Sequence, residues 1–86
     1  MFKIIIVEDD EEIREELKLL LENSGYEVKV ISDFKNVDQK ILEESSNLVL
    51  LDVNLPEQNG YEICSKIRKK SNVPIIFVTS QNGAME

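Results

Sequence analysis

Two short acidic segments hold the chemistry this chain could perform. Val7-Glu8-Asp9-Asp10 closes one apolar run, and Leu51-Asp52-Val53-Asn54-Leu55-Pro56 closes another. In an open parallel α/β sheet, the carboxyl ends of neighbouring strands converge on the crevice where ligands bind. Glu8, Asp9 and Asp52 would then meet around one point. Crowded carboxylates repel one another, and a hard cation such as Mg2+ among them makes the cluster tolerable. An Asp at a strand end is, taken alone, more often a cap or a turn residue than a nucleophile. The case for Asp52 therefore depends on its surroundings.

Those surroundings alternate between strand and helix patterns. Lys3 to Val7 is a β-branched run that predicts a buried strand. Glu11 to about Asn23 places Ile13, Leu17, Leu20 and Leu21 at helical spacing, with acids in front and Ser24-Gly25 as the stop. Glu27 to Ile31 predicts a second strand, polar enough for a sheet edge. Asn36 to about Ser45 predicts a short helix on Val37, Ile41 and Leu42, and Leu48 to Leu51 a third strand. Tyr61 to Ser71 predicts a third helix with Ile63 and Ile67 inward and Lys66, Arg68, Lys69 and Lys70 solvated. Val73-Pro74 introduces a fourth strand over Ile75 to Val78. Strands and helices alternating over short connections predict right-handed parallel crossovers.

Composition narrows the function. The 86 residues make one domain, 42% hydrophobic and 31% charged, as in an ordinary globular protein. Seventeen acidic against ten basic residues give a net charge of −7, which argues against direct nucleic-acid contact by this segment. There is no histidine, so histidine catalysis and histidine metal ligation are both excluded. Cys64 is the only cysteine, which rules out an internal disulfide or a thiolate zinc site and points to packing. No signal peptide or membrane-length apolar run is visible, and the expected location is the cytoplasm.

The loop Asp52-Val53-Asn54-Leu55-Pro56-Glu57-Gln58-Asn59-Gly60 makes the pattern specific. Pro56 fixes its own backbone angle and biases Leu55 toward an extended shape. Gly60 is expected to supply unusual angles at the entry to the next helix. Together with Glu8-Asp9 and Thr79-Ser80, this loop resembles the receiver domain of two-component response regulators. That family has an acid pair after the first strand, an Asp after the third, an L-P-x-x-x-G loop, and a Thr or Ser after the fourth. All four stand here in order, over essentially the whole chain.

The resemblance implies a flavodoxin-like, doubly wound parallel sheet. It is incomplete here, with four strands and three helices, so residues 1–86 read as the N-terminal part of a receiver domain. It implies that Asp52 is the phosphoacceptor for a histidine kinase and that Thr79 is the switch hydroxyl. Glu8, Asp9 and Asp52 would hold Mg2+, Glu8 through water, with the Asn54 backbone carbonyl as a further ligand. Asn54 and Gln81 would flank the site and tune hydrolysis. The module would regulate an output domain, of the DNA-binding kind, and would not itself be an enzyme. The family's fifth strand, with its Lys and its aromatic switch residue, has no counterpart here. This sets up an alternative, a switch-incompetent structural or interaction fragment; a Mg2+-dependent hydrolase using the same carboxylates is a distant third. It also predicts an exposed fourth strand through which the chain forms a homodimer or a higher assembly. Without this context Glu8 to Glu12 would read as an acidic helix start. Within it, only Asp10 to Glu12 keep that reading.

Overall fold

The computed structural model describes residues 1–78. Thr79, Ser80 and Gln81 lie outside the described residues. Four strands and three helices alternate along the chain: β1 (Lys3–Val7), α1 (Glu11–Asn23), β2 (Glu27–Ile31), α2 (Val37–Glu43), β3 (Leu48–Asp52), α3 (Gly60–Arg68) and β4 (Ile75–Val78). The strands form one sheet in the order β2-β1-β3-β4, and every pairing is parallel. Val7 stands opposite both Ile31 and Leu51, and Asp52 stands opposite Val78. The strand ends that carry Glu8 and Asp52 are therefore neighbours, as the sequence predicts.

The side-chain alternation of a strand divides the core between the two faces of the sheet. Ile5, Val7, Val49 and Leu51 join Val37 and Ile41 of α2 and Ile63 and Ile67 of α3 in one cluster. Nearly all of these residues are sealed from solvent. Burying one such side chain contributes roughly 1.5–3 kcal/mol, so this face holds most of the hydrophobic stabilisation. Cys64 packs against the same cluster, in its expected role.

The opposite face is shallower. Ile4 and Ile6 are buried there, but α1 lies over β2 and β1 and has no buried residue of its own. Leu20, part of its predicted apolar stripe, is 61% exposed. The stripe is wider than the part of the sheet that the helix covers.

Two helices depart from their predicted ends. α2 is shorter at both ends because Asn36 and Ser45 adopt left-handed backbone angles, φ 53° and 52°, that a helix cannot continue through. α3 stops at Arg68, where Lys69, Lys70 and Ser71 turn their N–H groups back onto Lys66 and Ile67. Lys66, Arg68, Lys69 and Lys70 are all solvent-exposed, as expected. No described helix is long and apolar enough to cross a membrane.

Candidate functional site

The β1 end delivers Glu8 and Asp9, and the β3 end delivers Asp52. Their carboxylate donor atoms all lie within 4.8 Å of one another. Glu8 and Asp52 are completely buried, whereas Asp9 stands at the exposed mouth. Each buried carboxylate has one oxygen satisfied by the backbone. The Asp10 N–H donates to Glu8 Oε2 at 3.2 Å, and the Asn54 N–H donates to Asp52 Oδ1 at 3.0 Å. Glu8 Oε1 and Asp52 Oδ2 are buried without any partner. Buried polar atoms are nearly always paired, so these two oxygens mark a place built for something further.

Electrostatics agree with the geometry. Burial pushes the Glu8 carboxyl up to about 7, against the pull of the Asp10 N–H, with the Asp52 and Asp9 carboxylates adding to the rise. Burial, followed by Asp52, also raises Asp9. A site that resists carrying its own negative charges is one that a divalent cation would complete. The donors are all oxygens, two of them lacking partners, and they fit Mg2+ well.

The two loops are shaped locally. Asp10 is the N-cap of α1, its side chain accepting from the Glu12 N–H at 3.0 Å and the Ile13 N–H at 3.2 Å. It is therefore a helix-start residue and stands apart from the cluster, as predicted. Asn59 caps α3 in the same way, accepting from Tyr61 N at 2.7 Å. Asn54 pairs with Asn59 across the loop, and the Gly60 N–H donates to the Val53 carbonyl at 2.8 Å.

Gly60 departs from expectation in its reason for being glycine. Gly25 is the glycine with positive φ among the described residues, and Gly60 adopts an ordinary angle. What Gly60 needs is space, because a Cβ there would lie 2.4 Å from the Asp52 carbonyl oxygen. Sequence reasoning also missed Arg14, whose guanidinium Nη1 donates to the Glu8 carbonyl oxygen at 3.0 Å. Its partner is a backbone carbonyl, which carries no mark in the sequence.

Over residues 4–86 the chain matches the family model of the response regulator receiver domain. This chain belongs to that family. As a receiver domain it is 46% identical over 86 residues to the transcriptional regulatory protein YxdJ of Bacillus subtilis, covering all of this chain and 38% of YxdJ. It thus spans well under half the length of that relative. The crystal structure of the response regulator TrrA from Thermotoga maritima in complex with Mg2+-BeF superimposes with a TM-score of 0.85 at 33% identity. The match covers 96% of this chain and 73% of that one. A structure of TrrA in complex with the histidine kinase ThkA matches with a TM-score of 0.83 at 34% identity, over 93% of this chain and 70% of that one. The flavodoxin-like parallel fold expected from the sequence is therefore the fold of the receiver domain.

Proposed function

We propose that this receiver domain takes a phosphoryl group onto Asp52 from a histidine kinase and passes the change to an output domain, one that binds DNA. The observation that carries the reading is the buried, unpartnered Oδ2 of Asp52 beside two further carboxylates. Asp52 Oδ2 would attack phosphorus, forming an acyl phosphate as the bond from phosphorus to the donor's imidazole nitrogen breaks. The imidazole leaves with the electron pair of that bond. Such transfers depend on positioning and charge neutralisation more than on covalent help from the protein. Glu8, Asp9, Asp52 and the Asn54 carbonyl would hold Mg2+, which supplies the neutralisation. The Asn54 N–H keeps Oδ1 engaged, so the two oxygens of Asp52 are not equivalent. Thr79, just beyond β4, would supply the hydroxyl that reads the new charge, a local event able to bias a two-state surface. Mg2+ and a histidine kinase stand with the related TrrA in its two structures, which supports both assignments.

Incubation with acetyl phosphate and Mg2+, followed by intact mass measurement, tests the assignment. One phosphoryl adduct is expected on the wild type and none on Asp52→Asn. Glu8→Gln should reduce the yield. A folded wild type that binds Mg2+ but takes no adduct would favour the alternative, a switch-incompetent interaction segment.

The described sheet ends on β4, whose outer edge is unpaired there, with Ile76 53% and Phe77 39% exposed. Phe77 packs against Tyr61, ring centroids 4.7 Å apart, and Ile76 lies on the shallow face. An open hydrophobic edge is a template for another chain. The 86-residue chain should therefore self-associate, as a two-fold dimer through this strand. Sedimentation of the wild type should show a species heavier than a monomer, and Ile76→Lys should return it to one. A compact wild-type monomer at tens of micromolar would refute the assembly.

A further inference from the structure

α1 is an exposed helix with no buried residue, yet one of its charged side chains is withdrawn from solvent. The Arg14 side chain is only 13% exposed, and its Nη1 donates to the Glu8 carbonyl oxygen at 3.0 Å. That carbonyl lies just past the last paired residue of β1. The Arg14 backbone N–H donates to the Asp10 carbonyl oxygen at 2.9 Å. The backbone bond is the first ordinary turn of α1, so it is the guanidinium alone that ties this turn to the chain just before Asp9. Among the described residues the nearest acidic group to the guanidinium, Glu15, stands at 4.0 Å and holds it only loosely.

We propose that Arg14 is a positioning residue for the cation site, its guanidinium fixing the β1–α1 turn so that Glu8 and Asp9 face Asp52. The proposal rests on the reading of these three carboxylates as cation ligands. It treats Arg14 as acting through the turn, with no contact to the cation. Groups that orient ligands from behind are worth about 10- to 100-fold in metal affinity. The sign of the effect distinguishes positioning from simple electrostatics. Deleting a positive charge near a cation site would by Coulomb attraction alone tighten cation binding. Loss of positioning weakens it.

Calorimetric titration of the wild-type chain and its variants with Mg2+, at a temperature where each is folded, tests this. Arg14→Met keeps helix propensity close to that of arginine, and its Kd should rise about tenfold. Arg14→Lys, which keeps the charge and one donor, should fall between Arg14→Met and wild type. Lys18→Met removes a charge from the same helix without touching the turn, and its Kd should stay equal or drop. Hydrogen exchange of the Asp10 amide in the ion-free protein should accelerate in Arg14→Met more than that of amides later in α1. An Arg14→Met protein that binds Mg2+ as tightly as wild type, or more tightly, overturns the proposal. If Arg14→Met does not fold, a Kd for Arg14→Lys equal to wild type overturns it instead. A wild type that binds no Mg2+ overturns the ligand reading itself, and this inference with it.

Discussion

Gly60→Ala should lower the melting temperature by about 10 °C and weaken Mg2+ binding at the same time. The added methyl carbon would start 2.4 Å from the Asp52 carbonyl oxygen and 3.0 Å from Val53 Cα. Both are backbone atoms, so no side-chain rotation relieves the clash. Either β3's end or the start of α3 must shift, and overpacking of this kind costs about 2 kcal/mol. In a domain of this size that amounts to roughly 10 °C. Gly25→Ala is the control. Gly25 has a positive φ of 97° and open space around it, so alanine there meets conformational strain alone. It should lower the melting temperature and leave Mg2+ affinity intact. Equal Mg2+ affinity in Gly60→Ala and wild type would show that the close approach does not position Asp52.

Raising the pH should destabilise the ion-free protein, and Mg2+ should reverse the effect. Glu8 ionises near 4.5 in the unfolded chain and about 7 in the folded one. Between those values the folded protein retains a proton that the unfolded chain has released. Stability therefore falls as pH rises through this window, by about 1.4 kcal/mol per pH unit for Glu8, and the raised Asp9 carboxyl acts in the same direction. Asp33 and Glu44 have the opposite sign, since their lowered carboxyls lend stability that is complete once the pH exceeds their unfolded values. They add no slope above about pH 5.5. Urea midpoints in EDTA should thus be higher at pH 5.5 than at pH 7.5. Glu8→Gln should shrink the difference and weaken the response to Mg2+. At pH 7.5 millimolar Mg2+ should raise the wild-type midpoint, because an ion held only by the folded form would stabilise it. A wild-type midpoint in EDTA that does not fall between the two pH values would remove Glu8 as the controlling group.

The order of elements was legible because hydrophobic period is a property of the chain itself. Ile63 and Ile67 point inward, β2 sits at an edge, and Asp10 belongs to the acidic start of α1, all from local rules. The acid cluster was legible for a topological reason: parallel strands bring their carboxyl ends to one side, which places Glu8 and Asp9 beside Asp52. What escaped depends on distance between backbones. The need for glycine at position 60 comes from the Asp52 carbonyl, eight residues earlier in sequence and adjacent only after folding. The bond from Arg14 to a carbonyl is invisible to any pattern of side-chain types, because every residue offers a carbonyl. The ends of α2 were set by left-handed angles at Asn36 and Ser45, residue types that tolerate such angles but do not demand them.

The two faces of the sheet differ in how firmly they hold their helices, and the acid cluster straddles that difference. Asp52 leads into α3, which is anchored by Ile63 and Ile67 in the main cluster, while Glu8 and Asp9 lead into α1, which has no fully buried residue. Without an ion, α1 should be the first element to open, its amides exchanging with solvent at far lower free energy than those of β1 or β3. A cation shared between Asp52 and the Glu8–Asp9 pair would staple the loose helix to the firm one across the sheet. Occupancy of the site would then be felt as slowed exchange along the start of α1, well away from the carboxylates themselves. The protein's weakest attachment and its acid cluster would form a single cooperative unit.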